Sequence, residues 1–286
     1  MKYMTKRNLL LFFRDRAGMI FSLLGVIIIF ALFVFFVGDS VTEGLDFLPN
    51  ARHIMNLWLI SGMLASAGIT TSMGAYSIMV SDKEHKRLRD FVTSPLSQKD
   101  IVGSYMLSGI VISLIMTVLT LLFSSIYIYI KDERLFSVSI ALKTLGVVFL
   151  SSFSSSAMIC FIISFIKSSN SYTTVSIILG TAIGFLVGAY IPFGEMPSVV
   201  QSVVKFFPCA HAAALFRTVL MGDEIVAGFS NLPVEAMNEF KETLGITFSY
   251  GGRVAEPWIH IAVLAASGVI FYALAIIVRK SQRTEI

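Results

Sequence analysis

Six apolar stretches, each about long enough to cross a lipid bilayer, set the strongest constraint on how this chain can fold. A membrane-spanning helix needs roughly 20 apolar residues, because it rises about 1.5 Å per residue through a hydrocarbon core about 30 Å thick. The stretches cover residues 17–37, 54–80, 104–130, 138–166, 172–190 and 258–278. We therefore predict a single all-α polytopic membrane domain over residues 1–286, with six transmembrane helices.

Basic residues predict how these helices are oriented. Lys and Arg collect before the first stretch and after the second, fourth and sixth, which are four segments on one side of a six-helix bundle. They are Lys2, Lys6, Arg7, Arg14, Arg16, Lys83, Lys86, Arg87, Arg89, Lys99, Lys167, Arg279, Lys280 and Arg283. Because loops rich in Lys and Arg stay on the cytoplasmic side, we expect both termini to be cytoplasmic. The long segment 191–257 then lies outside.

The chain carries few of the groups that catalysis or ion coupling requires. It has no G-x-x-x-x-G-K-[ST] motif for nucleotide phosphates, and no His, Cys, Asp or Glu group has metal-ligand spacing. No Asp or Glu lies in the middle of a predicted span, although ion-coupled carriers generally need such a carboxylate. We therefore expect neither an enzyme nor an ion-driven carrier, and no bound metal or nucleic acid. Energy for any transport must come from a partner.

Residues 1–16 are predicted to form an amphipathic helix on the cytoplasmic membrane surface. Basic residues would contact lipid headgroups, namely Lys6, Arg7, Arg14 and Arg16. Apolar residues would enter the acyl boundary, namely Leu9, Leu10, Phe12 and Phe13. The alternative is an ordinary positive flank that fixes the orientation of the first span, and the two interpretations are compatible.

The loop after the second stretch, residues 81–100, holds nine formal charges in twenty residues. Ser81-x-x-Glu84 has the pattern of a capping box, which predicts that a short helix begins at Ser81. A proline ends this helix, and Ser97-x-x-Asp100 is a second capping box that opens the third span. A simple connector does not need a doubly capped amphipathic helix, so we predict a lever that a cytoplasmic partner presses.

Small residues concentrate in the second and fifth stretches. Gly180, Gly184 and Gly188 recur every four residues, so on a continuous helix they would lie on one face. Ser66 and Thr70 belong to a part of the second stretch that is rich in Ser, Gly, Ala and Thr. Such faces let membrane helices approach closely, so both spans should be buried in protein. They pack within one subunit or across a dimer, or they line a path that opens when helices separate.

The long outer segment has helical apolar spacing that Pro197 and Pro208 break into pieces too short to span a membrane. This pattern predicts a re-entrant or interfacial hairpin directly after the fifth span. Further along, we expect a short acidic helix that starts at Asn231 or Pro233 and ends at Gly245. A Gly-Gly hairpin is expected to follow it.

Two groups of residues resemble the membrane subunit of ABC type-2 exporters. After the second span, that family has a stretch similar to E-x-E-x-G-T-L-E-x-L-x-x-S/T-P-L-S, followed by I-x-x-G-K. This chain matches it at Glu84, Leu88, 93–97, Ile101 and Gly103, and departs from it at Lys86, Arg87, Arg89 and Ser104. After the fifth span, a second family pattern is matched by Pro192, Met196, Pro197, Phe207, Pro208, His211, Phe216, Arg217, Leu220 and Gly222. Together with the six spans, the likeness covers most of the chain.

The resemblance implies a set of partners. Two cytoplasmic ATPase subunits, which bind the ATP and Mg, would pair with this permease and with a second permease, either identical or a sibling. This chain itself would bind no cofactor. The complex would lie in the bacterial plasma membrane, in contact with its lipids.

The resemblance also implies roles for individual residues. The ATPase-coupling residues would be Glu84, His85, Lys86, Arg87, Leu88 and Phe91, together with Arg14 and Arg16. The extracellular gate would include Pro192, Pro197, Pro208, His211 and Arg217. Closure of the ATPases on ATP would be transmitted to the second and fifth spans at a dimer interface and would open a path outward.

The implied function is export of an amphiphilic drug, antibiotic, peptide or lipid-like molecule, as in multidrug or antibiotic resistance. One alternative within the family is a glycan or teichoic-acid exporter. Such channels usually show aromatic belts along the path, whereas here the aromatic residues cluster in the first span. An alternative from another class is a membrane sensor that uses ABC coupling without transport, with the outer segment as its receptor surface.

Overall fold

The computed structural model describes residues 1–37, 45, 47–48, 50–87, 97–133 and 135–281, and the fold within these ranges is mainly helical. Its α-helices are α1 (Lys2–Arg14), α2 (Arg16–Ser22), α3 (Leu24–Leu32), α4 (Ala51–Glu84), α5 (Gln98–Asp132), α6 (Val138–Ser164), α7 (Ser169–Leu186), α8 (Ser198–Val204), α9 (Pro208–Gly228), α10 (Val234–Thr243) and α11 (Pro257–Ser281). A π-helical turn, Phe33–Val37, extends α3, and a 3-10 turn, Phe193–Glu195, precedes α8. The two short strands β1 (Ser249–Tyr250) and β2 (Arg253–Val254) pair antiparallel.

Helix α4 lies at the centre of the bundle and packs against α3, α5, α6, α7 and α9. Its glycines bring neighbours close, since a Cβ atom at Gly68 would lie 3.2 Å from the hydroxyl oxygens of Ser151 and Ser155 on α6. The most apolar part of α4 is 94% buried inside this one chain. The prediction that the second span is buried in protein is therefore confirmed. The same prediction for the fifth span is not confirmed within this chain, because α7 buries only Ile183 and Gly184.

The helices meet at two ends of the bundle. At one end, which we call the α1 end, α4 and α6 stop and α5 and α7 start, and α1 packs there against α4 and α5. At the other, which we call the α10 end, residues 187–256 cover the start of α4 and the end of α7. The two ends carry different sets of polar contacts.

Four helices in the described part of the chain, α4, α5, α6 and α11, are long and apolar enough to cross a membrane. The number rises to six if two bent pairs each form one span, α2 with α3 at 46° and α8 with α9 at 89°. The prediction of an all-α integral membrane protein is thus confirmed. Helix α7, the predicted fifth span, is not among the helices that qualify, because it opens on the polar run 169–174.

Helix α1 forms as predicted, but it faces the protein more than the membrane surface. Its buried stripe is Met4, Thr5, Asn8 and Phe12, at spacings that place these residues on one face against α4 and α5. Phe12 is 4% exposed and packs beside Ala75 of α4 rather than in lipid. The predicted membrane contact of Phe12 is therefore wrong.

Local sequence signals describe the outer segment well. Pro233 directly precedes α10, and Gly245 follows it with a φ of +66°, so the expected acidic helix is confirmed. Gly251 and Gly252, with φ of +57° and +81°, form the turn between β1 and β2. Two positive φ values in a two-residue loop suit a hairpin, and the predicted Gly-Gly hairpin is confirmed.

Candidate functional site

Asp82, in the last turn of α4, is fully buried, and its carboxylate is the centre of a polar cluster at the α1 end. Arg7 of α1 donates two hydrogen bonds to it, from Nη1 to Oδ2 at 2.7 Å and from Nη2 to Oδ1 at 2.8 Å. The Tyr105 hydroxyl of α5 donates a third at 2.5 Å, and Arg87 Nη1 lies 3.5 Å from Oδ1. Such bidentate geometry is what a buried ion pair needs to offset its desolvation. Hydrogen bonding to Asp82 raises the pKa of Arg7, which keeps its guanidinium charged.

Lys83, the next residue, contacts a different helix. Its Nζ donates to the carbonyl oxygens of Ile163 at 2.8 Å, Ser164 at 3.2 Å and Ile166 at 3.0 Å. These carbonyls belong to the C-terminal end of α6, where the last oxygens lack helical partners and the helix dipole is negative. Lys83 therefore caps α6 with a positive charge.

Glu84 contacts another helix, α7. Its carboxylate accepts hydrogen bonds from the Ser169 amide at 3.2 Å and from the Ser169 hydroxyl. Ser169 is the first residue of α7, so a negative charge meets the positive end of that helix dipole.

These three consecutive residues, Asp82, Lys83 and Glu84, are called the 82–84 junction below. Successive residues of a helix point about 100° apart, so three neighbours at one helix end can reach in three directions. The junction thereby attaches the end of α4 to α1, α5, α6 and α7. A displacement of this helix end would therefore strain the hydrogen bonds to all four helices.

The predicted helix start at Ser81 is wrong. Helix α4 continues through Glu84, and the Ser81 carbonyl accepts the amide of His85 at 3.0 Å, as in a helix interior. The change from apolar to charged residues marks where α4 leaves apolar surroundings, not where it stops. Lys86 has a φ of +57°, a left-handed conformation that ends the helix. Any separate coupling helix in this loop begins after Lys86.

The other predicted coupling residues lie on both sides of this break. His85 is exposed, and its Nδ1 is 2.9 Å from the carbonyl oxygen of Ser81. Lys86 and Arg87 are exposed, and Arg87 reaches back to the 82–84 junction. Leu88 and Phe91 lie outside the described residues.

The second predicted capping box lies at the end of the loop. It is confirmed at its first residue, because Ser97 precedes α5 and its Oγ accepts the Asp100 amide at 3.2 Å.

The predicted basic residues of the N-terminal helices lie in two different environments. Arg14 and Arg16 are exposed at the break between α1 and α2. Asp15 lies between them and caps α2, with its Oδ1 accepting the Gly18 amide at 2.9 Å. Arg7, predicted to contact headgroups, instead binds the junction.

At the α10 end, Arg217 of α9 is buried and joins three elements. Its guanidinium donates to the carbonyl oxygens of Val187 at 2.7 Å and Gly188 at 3.0 Å, just after α7. It also donates to the Gly245 carbonyl at 3.2 Å, just after α10. The cation lies 5.3 Å from the Trp58 ring centroid, a cation–π contact. Arg217 therefore ties the ends of α7 and α10 to α9 and α4.

The predicted gate residue His211 is buried beside a second histidine. Its Nε2 lies 2.9 Å from the Lys205 carbonyl oxygen, and its Nδ1 lies 2.7 Å from His260 Nδ1. Because a carbonyl only accepts, His211 Nε2 must carry a hydrogen and, in the neutral ring, Nδ1 must accept. His260 Nδ1 then donates, which fixes both tautomers. The pair connects α9 to α11.

The three predicted gate prolines each stand at the start of a helical element. Pro192 precedes the 3-10 turn, Pro197 precedes α8, and Pro208 is the first residue of α9. Pro favours these places because its fixed φ suits a helix start and its missing amide hydrogen is not needed there. The 89° turn between α8 and α9 falls directly before Pro208.

The predicted shared face of Gly180, Gly184 and Gly188 does not form. Helix α7 ends at Leu186, and Gly188 follows in a left-handed turn with a φ of +62° beside Arg217. The ring of Tyr190 covers Gly184, whereas a Cβ atom at Gly180 would meet nothing within 4 Å. The four-residue spacing therefore corresponds to three different environments.

The two other predicted face residues also separate. Ser66 is fully buried inside this chain and donates to the Met63 carbonyl at 2.9 Å, so it has no surface to offer a second subunit in this arrangement. Thr70, one turn on, lines a cavity.

A second polar cluster, which no sequence pattern indicates, lies at the α10 end. His53 Nδ1 lies 2.7 Å from Asp132 Oδ2, and His53 Nε2 lies 3.9 Å from Glu224 Oε1. Asn56 donates to Asp132 at 3.3 Å, and Asn50 donates to Glu224 at 2.8 Å. The cluster links the start of α4 to the ends of α5 and α9. Within the described ranges, no group of three or more His, Cys, Asp or Glu side chains is arranged to hold a metal ion.

Comparison with known proteins gives one family. The ABC-2 type transporter family model matches residues 1–221, which is more than half of the chain. The match includes the 82–84 junction, α7 and Arg217, and it ends before α10 and α11. No curated protein matches the chain.

Proposed function

Since the chain belongs to the ABC-2 type transporter family and is an ABC transporter permease in the membrane, we propose that it moves an amphiphilic drug, antibiotic, peptide or lipid-like molecule outward. The sequence holds no G-x-x-x-x-G-K-[ST] motif. The energy therefore comes from ATP and Mg bound on separate ATPase subunits, two per complex. A second permease, identical or a sibling, completes the complex in the bacterial plasma membrane.

The α1 end is the cytoplasmic side. Exposed basic residues at that end, such as Lys6, Arg14 and Arg16, support this orientation through the preference of Lys and Arg for cytoplasmic loops. Acidic residues such as Glu224 and Glu235 lie at the α10 end. Both termini are then cytoplasmic, and residues 191–257 face outward.

The observation that carries the proposal is the 82–84 junction. The loop 87–97 follows it directly, and the family resemblance makes that loop the contact with the ATPase. A push on the loop moves the end of α4, to which α1, α5, α6 and α7 are attached by short hydrogen bonds. At Asp82 this attachment is buried and consists of three hydrogen bonds, two from Arg7 and one from Tyr105.

In this proposal α7 is the fifth span, although it is less apolar than the four helices that qualify by composition, and it carries the movement outward. It has 18 residues, about 27 Å of helix, which is close to the thickness of the hydrocarbon core. Glu84 holds its first residue at the α1 end, and Arg217 holds the carbonyls of Val187 and Gly188 at the α10 end. A displacement at the junction therefore reaches the outer segment through one helix fastened at both ends.

The α8–α9 hairpin forms the gate on the outer side. Its 89° turn suits a re-entrant element, and α8 exposes Val199 and Val203 to 74% and 50%. Arg217 couples this hairpin to α7, so movement of α7 draws α9 and the region after α10 with it. Closure and opening thus depend on the same three carbonyl contacts.

Transport by the assembled complex tests the proposal. The permease would be reconstituted in proteoliposomes with a candidate partner ATPase, and ATP-dependent efflux of a fluorescent amphiphile would be measured. A variant of that ATPase with its Walker A lysine replaced is the control. Stable assembly and ATP hydrolysis without efflux of any amphiphile would argue for a sensor instead of an exporter.

A further inference from the structure

A cavity of about 880 Å³ lies between α2 and α3 on one side, α4 behind and α7 on the other side. Its volume is in the range of sites that hold drug-sized molecules. Phe21, Leu24 and Ile177 are part of its wall and are 67%, 45% and 64% exposed, so it opens on the outside of the subunit. A molecule dissolved in the bilayer can therefore enter it from the side.

Most of the cavity wall is apolar, and six of its eight hydroxyl groups, all but those of Thr70 and Tyr190, already donate their hydrogens within the protein. Ser22 donates to Met19, Ser77 to Gly74, Tyr172 to Met73, Thr173 to Ser169, Ser176 to Tyr172 and Thr181 to Ile177, each to a backbone carbonyl at 2.7–2.9 Å. These oxygens offer lone pairs to a ligand but no hydrogens. The wall therefore presents mainly acceptors and apolar carbon. It is poorly suited to a carboxylate, sulfate or phosphate.

Asp15 is the charged residue of the wall, at its α1 end. Its Oδ1 accepts the Gly18 amide, and Asp15 forms no ion pair with any residue in the described ranges. Asp15 is exposed, as are its sequence neighbours Arg14 and Arg16, but only Asp15 lines the cavity. An unpaired carboxylate at one end of an apolar cavity favours a cation.

Aromatic rings reinforce this preference. Phe12 and Phe21 line the same end as Asp15, and Tyr172 and Tyr190 lie on the α7 side. The faces of such rings attract a desolvated cation, while their area accommodates an apolar body. The Thr70 hydroxyl is buried in this wall without a hydrogen-bond partner among the described residues. A bound molecule would give it one.

We propose that this cavity binds a cationic amphiphile, with its apolar body between α4 and α7 and its positive centre towards Asp15. That the bound molecule is also exported rests on the proposed function. Binding itself requires no ATPase and no second subunit, because the walls come from one chain.

Gly180 provides a variant that fills the cavity without distorting the chain. It lies in the wall, and a Cβ atom there would meet nothing within 4 Å, so Gly180→Leu projects into open space. Gly146 on α6 is the matched control, because it also has nothing within 4 Å and is not part of the wall. Asp15→Asn removes the charge and keeps the cap of α2, since Asn and Asp cap helices equally well.

The test is binding of radiolabelled tetraphenylphosphonium to the purified full-length permease in nanodiscs without ATPase, with empty nanodiscs subtracted. Tetraphenylborate, an anion of the same shape, is the matched probe. We expect saturable binding of the cation only, with affinity lowered about tenfold or more by Gly180→Leu and about fivefold by Asp15→Asn. Gly146→Leu should bind like the unmodified protein.

Equal binding of the anion, or cation binding that Gly180→Leu leaves unchanged, would overturn the proposal. Loss of cation binding when a second permease assembles would also overturn it, since the cavity would then be a subunit contact. Asp15→Asn keeps the test valid if Gly180→Leu does not fold. Efflux by the full complex is measured separately. Binding without efflux would contradict the export function but support the site. Efflux without binding would contradict the site but support the export function.

Discussion

Arg7 and Asp82 are 75 positions apart in the chain, yet they form a bidentate ion pair with donor–acceptor distances of 2.7 and 2.8 Å. Asp82 is fully buried and Arg7 is partly so. The pair fastens the N-terminal helix to the end of α4. It thus makes α1 part of the bundle at the end where a cytoplasmic partner would act.

Removal of Arg7 should leave the Asp82 carboxylate buried and poorly compensated. Arg7→Ala is expected to destabilise the protein by about 3 kcal/mol, because breaking a buried pair costs more than the pair contributes. Thermal unfolding in detergent would measure this. Lys6→Ala, at the exposed neighbouring position, should change little. The double variant Arg7→Met, Asp82→Leu should recover part of the loss. If the double variant loses as much stability as Arg7→Ala does, the ion-pair explanation is contradicted.

Charge reversal just after the junction should disconnect the ATPase. In Lys86→Glu, Arg87→Glu, both exposed cations become anions, and Arg87 can no longer approach Asp82. We expect normal insertion but loss of the permease-dependent part of ATP hydrolysis in the reconstituted complex. Arg253→Glu, an exposed charge change at the α10 end, is the control. Unchanged hydrolysis and efflux in the double variant would exclude the loop as the point of coupling.

The three carbonyl contacts of Arg217 should be specific to the guanidinium. Arg217→Lys places a cation at the same site, but one ammonium group cannot reproduce the planar fork that reaches two helix ends. We expect a loss of about 2 kcal/mol in stability and increased passive leak of proteoliposomes without ATP. Gly222→Ala, further along α9 in open space, should preserve both properties. Normal leak in Arg217→Lys would mean that these contacts do not hold the gate closed.

The His211–His260 pair should behave as one unit. His211→Phe leaves His260 without its acceptor, and His260→Phe leaves His211 Nδ1 without its donor. The losses of stability in the two single variants should therefore sum to more than the loss in the double variant, by a coupling energy of about 1 kcal/mol. A double-mutant cycle on apparent unfolding temperature measures it. Strict additivity would show that the 2.7 Å contact contributes nothing to stability.

Features that depend on local sequence could be predicted. Long apolar stretches gave the membrane helices because the helical rise and bilayer thickness fix their length. Ser97 was recognisable as a cap from its neighbours, and Gly251 and Gly252 were recognisable as a hairpin turn. Each signal is contained within a few residues.

Two of the errors share a physical cause, which is a helix end in an unexpected place. Ser81 has the local pattern of a cap, but packing around the 82–84 junction continues α4 past it. Gly184 and Gly188 have the spacing of a helix face, but α7 ends between them at Leu186. Hydrogen bonds from distant residues decided both ends, and a single sequence does not contain pairings such as Arg7 with Asp82.

Helix α4 has 34 residues, which corresponds to about 51 Å of helix and exceeds the hydrocarbon thickness by about 20 Å. Trp58, in its third turn, donates a hydrogen bond to the Leu244 carbonyl, and the 82–84 junction lies in its last turn. We consider a tilt of this helix as one body about its midpoint inside the bundle. A tilt of about 5° would move each tip by about 2 Å in opposite directions. Such a shift is comparable to a hydrogen-bond length, so a small stroke on one side of the membrane suffices to exchange contacts on the other.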